Sequence, residues 1–374
     1  MQFKVSKIDI YAVDIPFRMK FGHASKSRKS SESIFVKAES ENGVSGFGES
    51  LPRRYVTGED QSSVIDSLKA LLPGAILGRT FDSFGDVVDF CGSSFGDLKG
   101  ASCAAIELAL LDLAGRVFKC SVSKALGAVL VNDLRYSAAI GSVPPLKSGI
   151  SALKFKLYGF KDIKIKVGDD RDIGRLKVVR AMCGGNMNLR LDANCTWGAD
   201  EAIERLSAMR RYNFSLIEQP VKKGDIASLK KVSNAIREPV MADESLCTLD
   251  DAKKLIEEKA CKMFNIRISK CGGLINSLKI AKLAQESGIS YQLGCQVGES
   301  GVLSAAGRHF ASCVKGIKYL EGSYAKFLLL EDVIKEDVGF GYGGRAGLLC
   351  GNGLGITVDE PRLKKYVTNE AIIK

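Results

Sequence analysis

"GFKDIKIKVGDD" spans residues 159–170 and alternates strictly at its centre, with Ile163, Ile165 and Val167 on one face and Lys164 and Lys166 on the other. Successive strand side chains point to opposite faces, so this is a strand pattern. On a surface antiparallel sheet the lysines would simply face water. In a closed parallel barrel the apolar face packs on helices and the lysines point into the barrel mouth. The flanking sequence decides between the two.

From about residue 133, short apolar runs alternate with amphipathic helical stretches. The runs are "RYSAAIG", "IKIKVG", "NLRLDAN", "FSLIEQP", "EPVMADES", "KMFNIRIS", "SYQLGC" and "IKYLEG". Polar residues near their ends fall at Lys166, Asp192, Glu218, Asp243, Arg267, Gln296 and Glu321, in steps of 26, 26, 25, 24, 29 and 25 residues. Strand-then-helix units of this length, repeated eight times, predict a (β/α)8-type barrel rather than an open doubly wound sheet. Lys164 and Lys166 then face inward, where buried ammonium groups need carboxylates or a bound anion nearby. Ahead of the barrel, residues 1–58 read as strands and turns, with a hairpin turning at "ENG" (41–43). Residues 60–127 read as helical; "CAAIELALLDLAGRV" (103–117) carries a stripe wide enough for a buried helix, and Gly127 is a plausible stop.

At 374 residues, 45% hydrophobic and 26% charged, the chain has ample material for a large core. Its net charge of +11 is spread along the length among acids and includes no arginine-rich tract. That argues against nucleic acid and for an anionic small molecule. The start, "MQFKVSKIDIYAVDI", reads as a strand rather than a signal peptide, and no apolar run reaches membrane-spanning length. Eleven cysteines occur without a C-x-x-C pair, which reads as buried reduced thiols and a cytoplasmic protein.

Asp192, Glu218 and Asp243 each end a strand, where barrel enzymes place their chemistry. Three carboxylates without histidine form a hard-oxygen site suited to Mg²⁺. A carboxylate substrate held by Mg²⁺ loses its neighbouring proton more easily, because the ion stabilises the enediolate. Lys164 beside Lys166 offers a base whose pKa positive surroundings would lower.

"KIKVG", "LDAN", "IEQP", "MADES" and "SKCGG", in this order and spacing, resemble the muconate-lactonizing subgroup of the enolase superfamily. So do "GFGESLP" near the start, "AAIELALLDLAG" in the helical part and "GLGITVDEPRL" near the end. The resemblance covers almost the whole chain. It implies an α/β protein: an α+β N-terminal capping domain (1–130), a modified TIM barrel of (β/α)7β form (131–325), and a C-terminal segment (326–374) returning to the cap. It also implies Mg²⁺ on Asp192, Glu218 and Asp243, with Lys166 as acid/base and Lys164 tuning it.

Two departures bear on reaction type. The subgroup's second lysine lies on the sixth strand, where this chain reads "NIRISKCGG": Arg267 takes the lysine's place and Lys270 matches the later one. Arginine stays protonated, so it stabilises negative charge but makes a poor base. Dipeptide epimerases of the subgroup resemble one another in D-x-D on the eighth strand, replaced here by "YLEGS" with Glu321 alone in that role. The seventh-strand segment "GCQVGESG" offers Gln296 and Glu299. Asn194 of "LDAN" is a further candidate for substrate contact, as is Arg53. His23, in the basic "RMKFGHASKSRKS" segment, is another, through a resemblance to the cap's specificity loop. The other histidine, His309, reads as core or surface. The expectation is a Mg²⁺-dependent isomerase of the dipeptide-epimerase or cycloisomerase kind, acting on a small carboxylate as a homo-oligomer. The alternatives are an o-succinylbenzoate-synthase-like lyase and a non-catalytic ligand-binding relative.

Overall fold

The computed structural model describes residues 2–374 apart from Ala24, Ser25 and Asp97, and leaves out the side chains of residues 19–27. The N-terminal sheet pairs strands Phe3–Val13, Ser33–Ser40 and Ser45–Ser50 in antiparallel fashion, and the last strand of the chain, Val367–Ile373, joins its edge. The hairpin turns at 41–43, pairing Ile34 with Ser50 and Phe35 with Glu49. Helix Gly100–Val117 lies across it, buried on nearly every face. Backbone approaches backbone there: a Cβ on Gly46 would stand 2.1 Å from the Leu113 nitrogen, and one on Gly48 2.0 Å from the Ala105 oxygen. Only glycine permits this contact, which explains the "GFGES" spelling.

Eight parallel strands follow: Ala138–Ile140, Asp162–Lys166, Asn188–Asp192, Phe214–Glu218, Val240–Ala242, Met263–Ile266, Ser290–Leu293 and Ile317–Leu320, numbered first to eighth below. All eight expected runs are strands. Helices connect the first seven to their successors, and directly after the eighth comes the four-residue helix Ala325–Leu328. The architecture is therefore (β/α)7β. Just ahead of the first strand, Tyr136 bridges to Leu320 of the eighth.

Cap and barrel are joined by buried carboxylates that cap barrel helices, whose first N–H groups lack intrahelical partners. Glu107 accepts from the Leu274 and Ile275 nitrogens at the start of helix Leu274–Glu286. Glu49 accepts from the Ser300 and Leu303 nitrogens, at 3.0 and 3.1 Å, at the start of helix Gly301–Cys313. His309 is buried in that helix, with Nε2 3.0 Å from the Leu354 carbonyl. No helix among the described residues is long and apolar enough to cross a membrane.

Candidate active site

The barrel interior is layered, as alternation demands. Leu216, Met241 and Met263 pack together, with Tyr319 against them. Arg190 stacks 4.3 Å over Tyr319 and donates to Gln292 (2.7 Å) and Glu321 (3.0 Å). The top layer holds the three strand-end carboxylates, all fully buried. Parallel register aligns Lys166 with Asp192 and Asp192 with Glu218.

Each carboxylate is turned onto a cation. Lys166 Nζ donates to Asp192 Oδ2 and Asn194 Oδ1, both at 2.6 Å. Lys164 Nζ lies 2.6 Å from Glu321 and 3.4 Å from both Glu218 and Asp192. Burial pulls the Lys164 pKa down, but Glu218, Glu321 and Asp192 outweigh it and keep the ammonium charged well above its ordinary value. The carboxylates divide unequally. Burial raises Glu218 to about 8, with Asp192 adding to the rise and Lys164 opposing it. Burial would raise Asp243 too, but Arg267 and Lys270 hold it well below the usual carboxylate range.

Arg267 follows directly after the sixth strand and keeps its inward alternation with Asn265, while Ile266 and Ile268 face the helices. Its guanidinium pairs with Asp243, reaches Glu218 at 3.3 Å and donates to Gln296 Oε1 at 3.0 Å. Burial disfavours its charge, but Asp243 and Glu218 prevail, and it stays protonated. Lys270 sits in the turn beyond. Its ammonium is committed to Asp243 Oδ1 (2.9 Å), the Asp243 carbonyl (2.6 Å) and the Asn265 carbonyl (2.9 Å).

One cavity of about 460 Å³ opens over this layer, and Lys164, Lys166, Asn194, Arg267, Gln296 and Glu321 line it. Glu299 lines it as well, accepting from the Gln296 nitrogen at 2.6 Å. Lys270 lies behind this lining, as do Asp192, Glu218 and Asp243, which the cations cover. Two of the expected substrate contacts are already engaged within the protein. Arg53, expected at the substrate, is buried with its guanidinium spent on the Ser31, Glu32, Pro52 and Val297 carbonyls, so it ties the cap to the seventh-strand loop. Glu321, expected to await a substrate ammonium, already accepts from Lys164 and Arg190. The side chain of His23 lies outside the described residues.

Among the described residues, no three Asp, Glu, His or Cys side chains stand arranged to hold a metal ion. The donor chemistry nevertheless fits Mg²⁺. Asp192, Glu218 and Asp243 end adjacent strands and offer only oxygen, while cationic nitrogens bridge them: Lys164 between Asp192 and Glu218, Arg267 between Glu218 and Asp243. Beside them Glu244 Oε2 is buried without a partner. Burial, with Asp243 and Asp192 adding to it, pushes that carboxyl up to about 7.

Glu244 lines the cavity and accepts from Asn194 at 3.1 Å, yet sequence reasoning passed over it. Alternation sends it away from Asp243; the fifth strand, however, ends at Ala242 and the rule lapses there. Gln219 of "IEQP" holds that loop in place, accepting from the Asp243 and Ser245 nitrogens at 3.0 and 3.1 Å. Arg190, two residues before Asp192, was legible by alternation as an inward side chain.

The chain matches the model for the mandelate racemase/muconate lactonizing enzyme N-terminal domain over residues 7–127 and that for the enolase C-terminal domain-like fold over 151–362. It is 31% identical over 319 residues to a hydrophobic dipeptide epimerase of Enterococcus faecalis, covering 84% of this chain and 88% of the relative. A crystal structure of the dipeptide epimerase from Enterococcus faecalis V583, complexed with Mg and the dipeptide L-Leu-L-Tyr, superposes with a TM-score of 0.85 at 29% identity, over 96% of this chain and all of that one. The crystal structure of N-succinyl Arg/Lys racemase from Bacillus cereus gives a TM-score of 0.91 at 28% identity, over 99% of this chain and 100% of that one. The chain belongs to the mandelate racemase/muconate lactonizing enzyme family of the enolase superfamily.

Proposed function

We propose that this protein is a Mg²⁺-dependent isomerase that takes the proton next to a substrate carboxylate with Lys166, on one face only. Mg²⁺ on Asp192, Glu218 and Asp243 would supply positive charge to that carboxylate and so lower the cost of losing the neighbouring proton. The observation carrying the reading is the pairing of Lys166 and Arg267. They rise from the second and sixth strands of an eight-stranded barrel, hence from opposite sides of one cavity. Lys166 can hold or release a proton there; a guanidinium held charged by Asp243 and Glu218 cannot. Arg267 instead compensates the negative charge that develops on the substrate, and Asn194 orients the Lys166 ammonium. Lys164 stays charged as a fixed positive group, and Lys270 braces Asp243.

A second base is needed to invert an α-carbon, so the arginine favours cycloisomerisation over epimerisation. A one-base elimination, which would make the enzyme a lyase, satisfies the same geometry. In D₂O with Mg²⁺, wild type is expected to exchange the α-proton of a dipeptide or N-acyl amino acid, and Lys166→Ala to lose that exchange while keeping Mg²⁺ binding. Exchange at the wild-type rate in Lys166→Ala would move the base elsewhere. Eleven free thiols support a reducing, cytoplasmic setting. Leu146, Ile150, Leu153 and Leu157, exposed along one face of helix Pro145–Leu157, support self-association, which light scattering would measure.

A further inference from the structure

The cavity over the charged layer does not end at it. The same 460 Å³ space runs on to Phe160, Phe327 and Phe340, and is in the size range that accepts ligands larger than a bare amino acid. The extension follows from how the barrel closes. Beyond the Tyr136–Leu320 bridge, where the Ser137 nitrogen donates to the Leu320 oxygen at 2.7 Å, first and eighth strands have no further pairing among the described residues. Of the first strand, Ala138 and Ala139 line the space. The eighth strand leaves through Gly322, at φ 127°. Two methyl groups on one side and a missing full-length helix on the other leave a seam in the barrel wall.

The far side of the seam is made of rings. Phe340 packs 5.2 Å from Phe327, 5.8 Å from Phe160 and 5.8 Å edge-on from Tyr324. The Tyr324 hydroxyl donates to the Ser137 carbonyl, which fixes that ring at the entrance. Phe327 is nevertheless 46% exposed. Aromatic faces left open beside a cavity take up another ring in an offset or edge-on arrangement. The cavity thus has a charged end and an apolar end, which calls for a ligand built the same way.

We propose that the substrate carries an apolar, ring-sized tail beyond its reacting carboxylate, and that the tail lies in the seam between first and eighth strands, among Phe160, Phe327 and Phe340. The orientation rests on the reading of the charged end as the proton-transfer site. N-acetylalanine and N-(3-phenylpropionyl)alanine share a head and differ in the tail. Calorimetry with Mg²⁺ present is expected to show the phenyl compound binding wild type at least tenfold more tightly. In Phe327→Ala/Phe340→Ala, checked for folding by its unfolding temperature, the ratio should fall to threefold or less; the half-exposed Phe327→Ala alone serves where the double variant does not fold. Equal affinities in wild type, or an unchanged ratio in the variant, would overturn the tail site. α-Proton exchange on the same compounds keeps the two claims apart. Ring preference without exchange supports the tail site and defeats the proton-transfer reading; exchange without ring preference does the reverse.

Discussion

Replacing Arg267 with methionine, neutral and of similar reach, should move metal binding and catalysis in opposite directions. Without an ion, the guanidinium lies between Glu218 and Asp243, so Mg²⁺ must displace it to reach both carboxylates. Lys164 and Lys270 remain as partners in the variant, so what is removed is one charge-assisted contact of about 2 kcal/mol. An ion spared that displacement binds roughly thirtyfold more tightly, since 1.4 kcal/mol is tenfold. The metal-free variant should also lose the same amount, about 2 kcal/mol of stability, because two buried carboxylates have lost a counter-charge, and recover it when Mg²⁺ is added. α-Proton exchange should fall meanwhile, with nothing left opposite Lys166 to meet the developing charge. Calorimetric Mg²⁺ titration and urea unfolding with and without the ion measure these effects. Mg²⁺ affinity that is unchanged or weaker in Arg267→Met would refute the reasoning.

Asp243→Asn should weaken Mg²⁺ binding at least tenfold in the same titration; unchanged affinity would take this residue out of the metal site. Gly48→Ala should destabilise the protein by about 3 kcal/mol, since the added carbon meets the Ala105 carbonyl and backbone on both sides must shift, and a loss below 1 kcal/mol in urea would show that the contact gives way. Burial pushes Glu107 up to about 8, against the Ile275 and Leu274 nitrogens that favour its charge. A carboxyl raised above its ordinary 4.5 holds its proton more tightly in the folded chain, so the stability it contributes is full at low pH and drains as pH rises from about 4.5 to 8. Wild type should therefore lose up to a few kcal/mol relative to Glu107→Gln across that window, and a pH-independent difference between the two would show that Glu107 is ionised throughout.

The barrel was legible because its signals are local. Alternation at Lys164 and Lys166, and polar strand ends 24 to 29 residues apart, need no knowledge of distant contacts. Position at the strand ends singled out Asp192, Glu218 and Asp243, and alternation put Arg267 on the inner face. It failed where strands stop: Glu244 lies one residue past Asp243 in a loop shaped by Gln219, and Lys270 lies in a turn that folds its ammonium back onto Asp243. The contacts of Arg53 were not legible because its partners are backbone carbonyls from three separate segments, which leave no trace in side-chain patterning. The aromatic end of the cavity was invisible for the same reason. Phe160 precedes the second strand and Phe340 follows the barrel, and only the incomplete closure of the wall brings both to one space.

The proposed chemistry is one base on one face. Its most direct test is deuterium incorporation at the α-carbon of each enantiomer of an accepted N-acyl amino acid or dipeptide, measured separately, in wild type and Arg267→Lys. Wild type should exchange one enantiomer at least a hundredfold faster than the other, the usual scale of a positioned acid/base, and Arg267→Lys should gain exchange on the slow one, because lysine can lose its proton. Exchange of both enantiomers at similar rates in wild type would contradict the account and make a second base, and epimerisation, the better description.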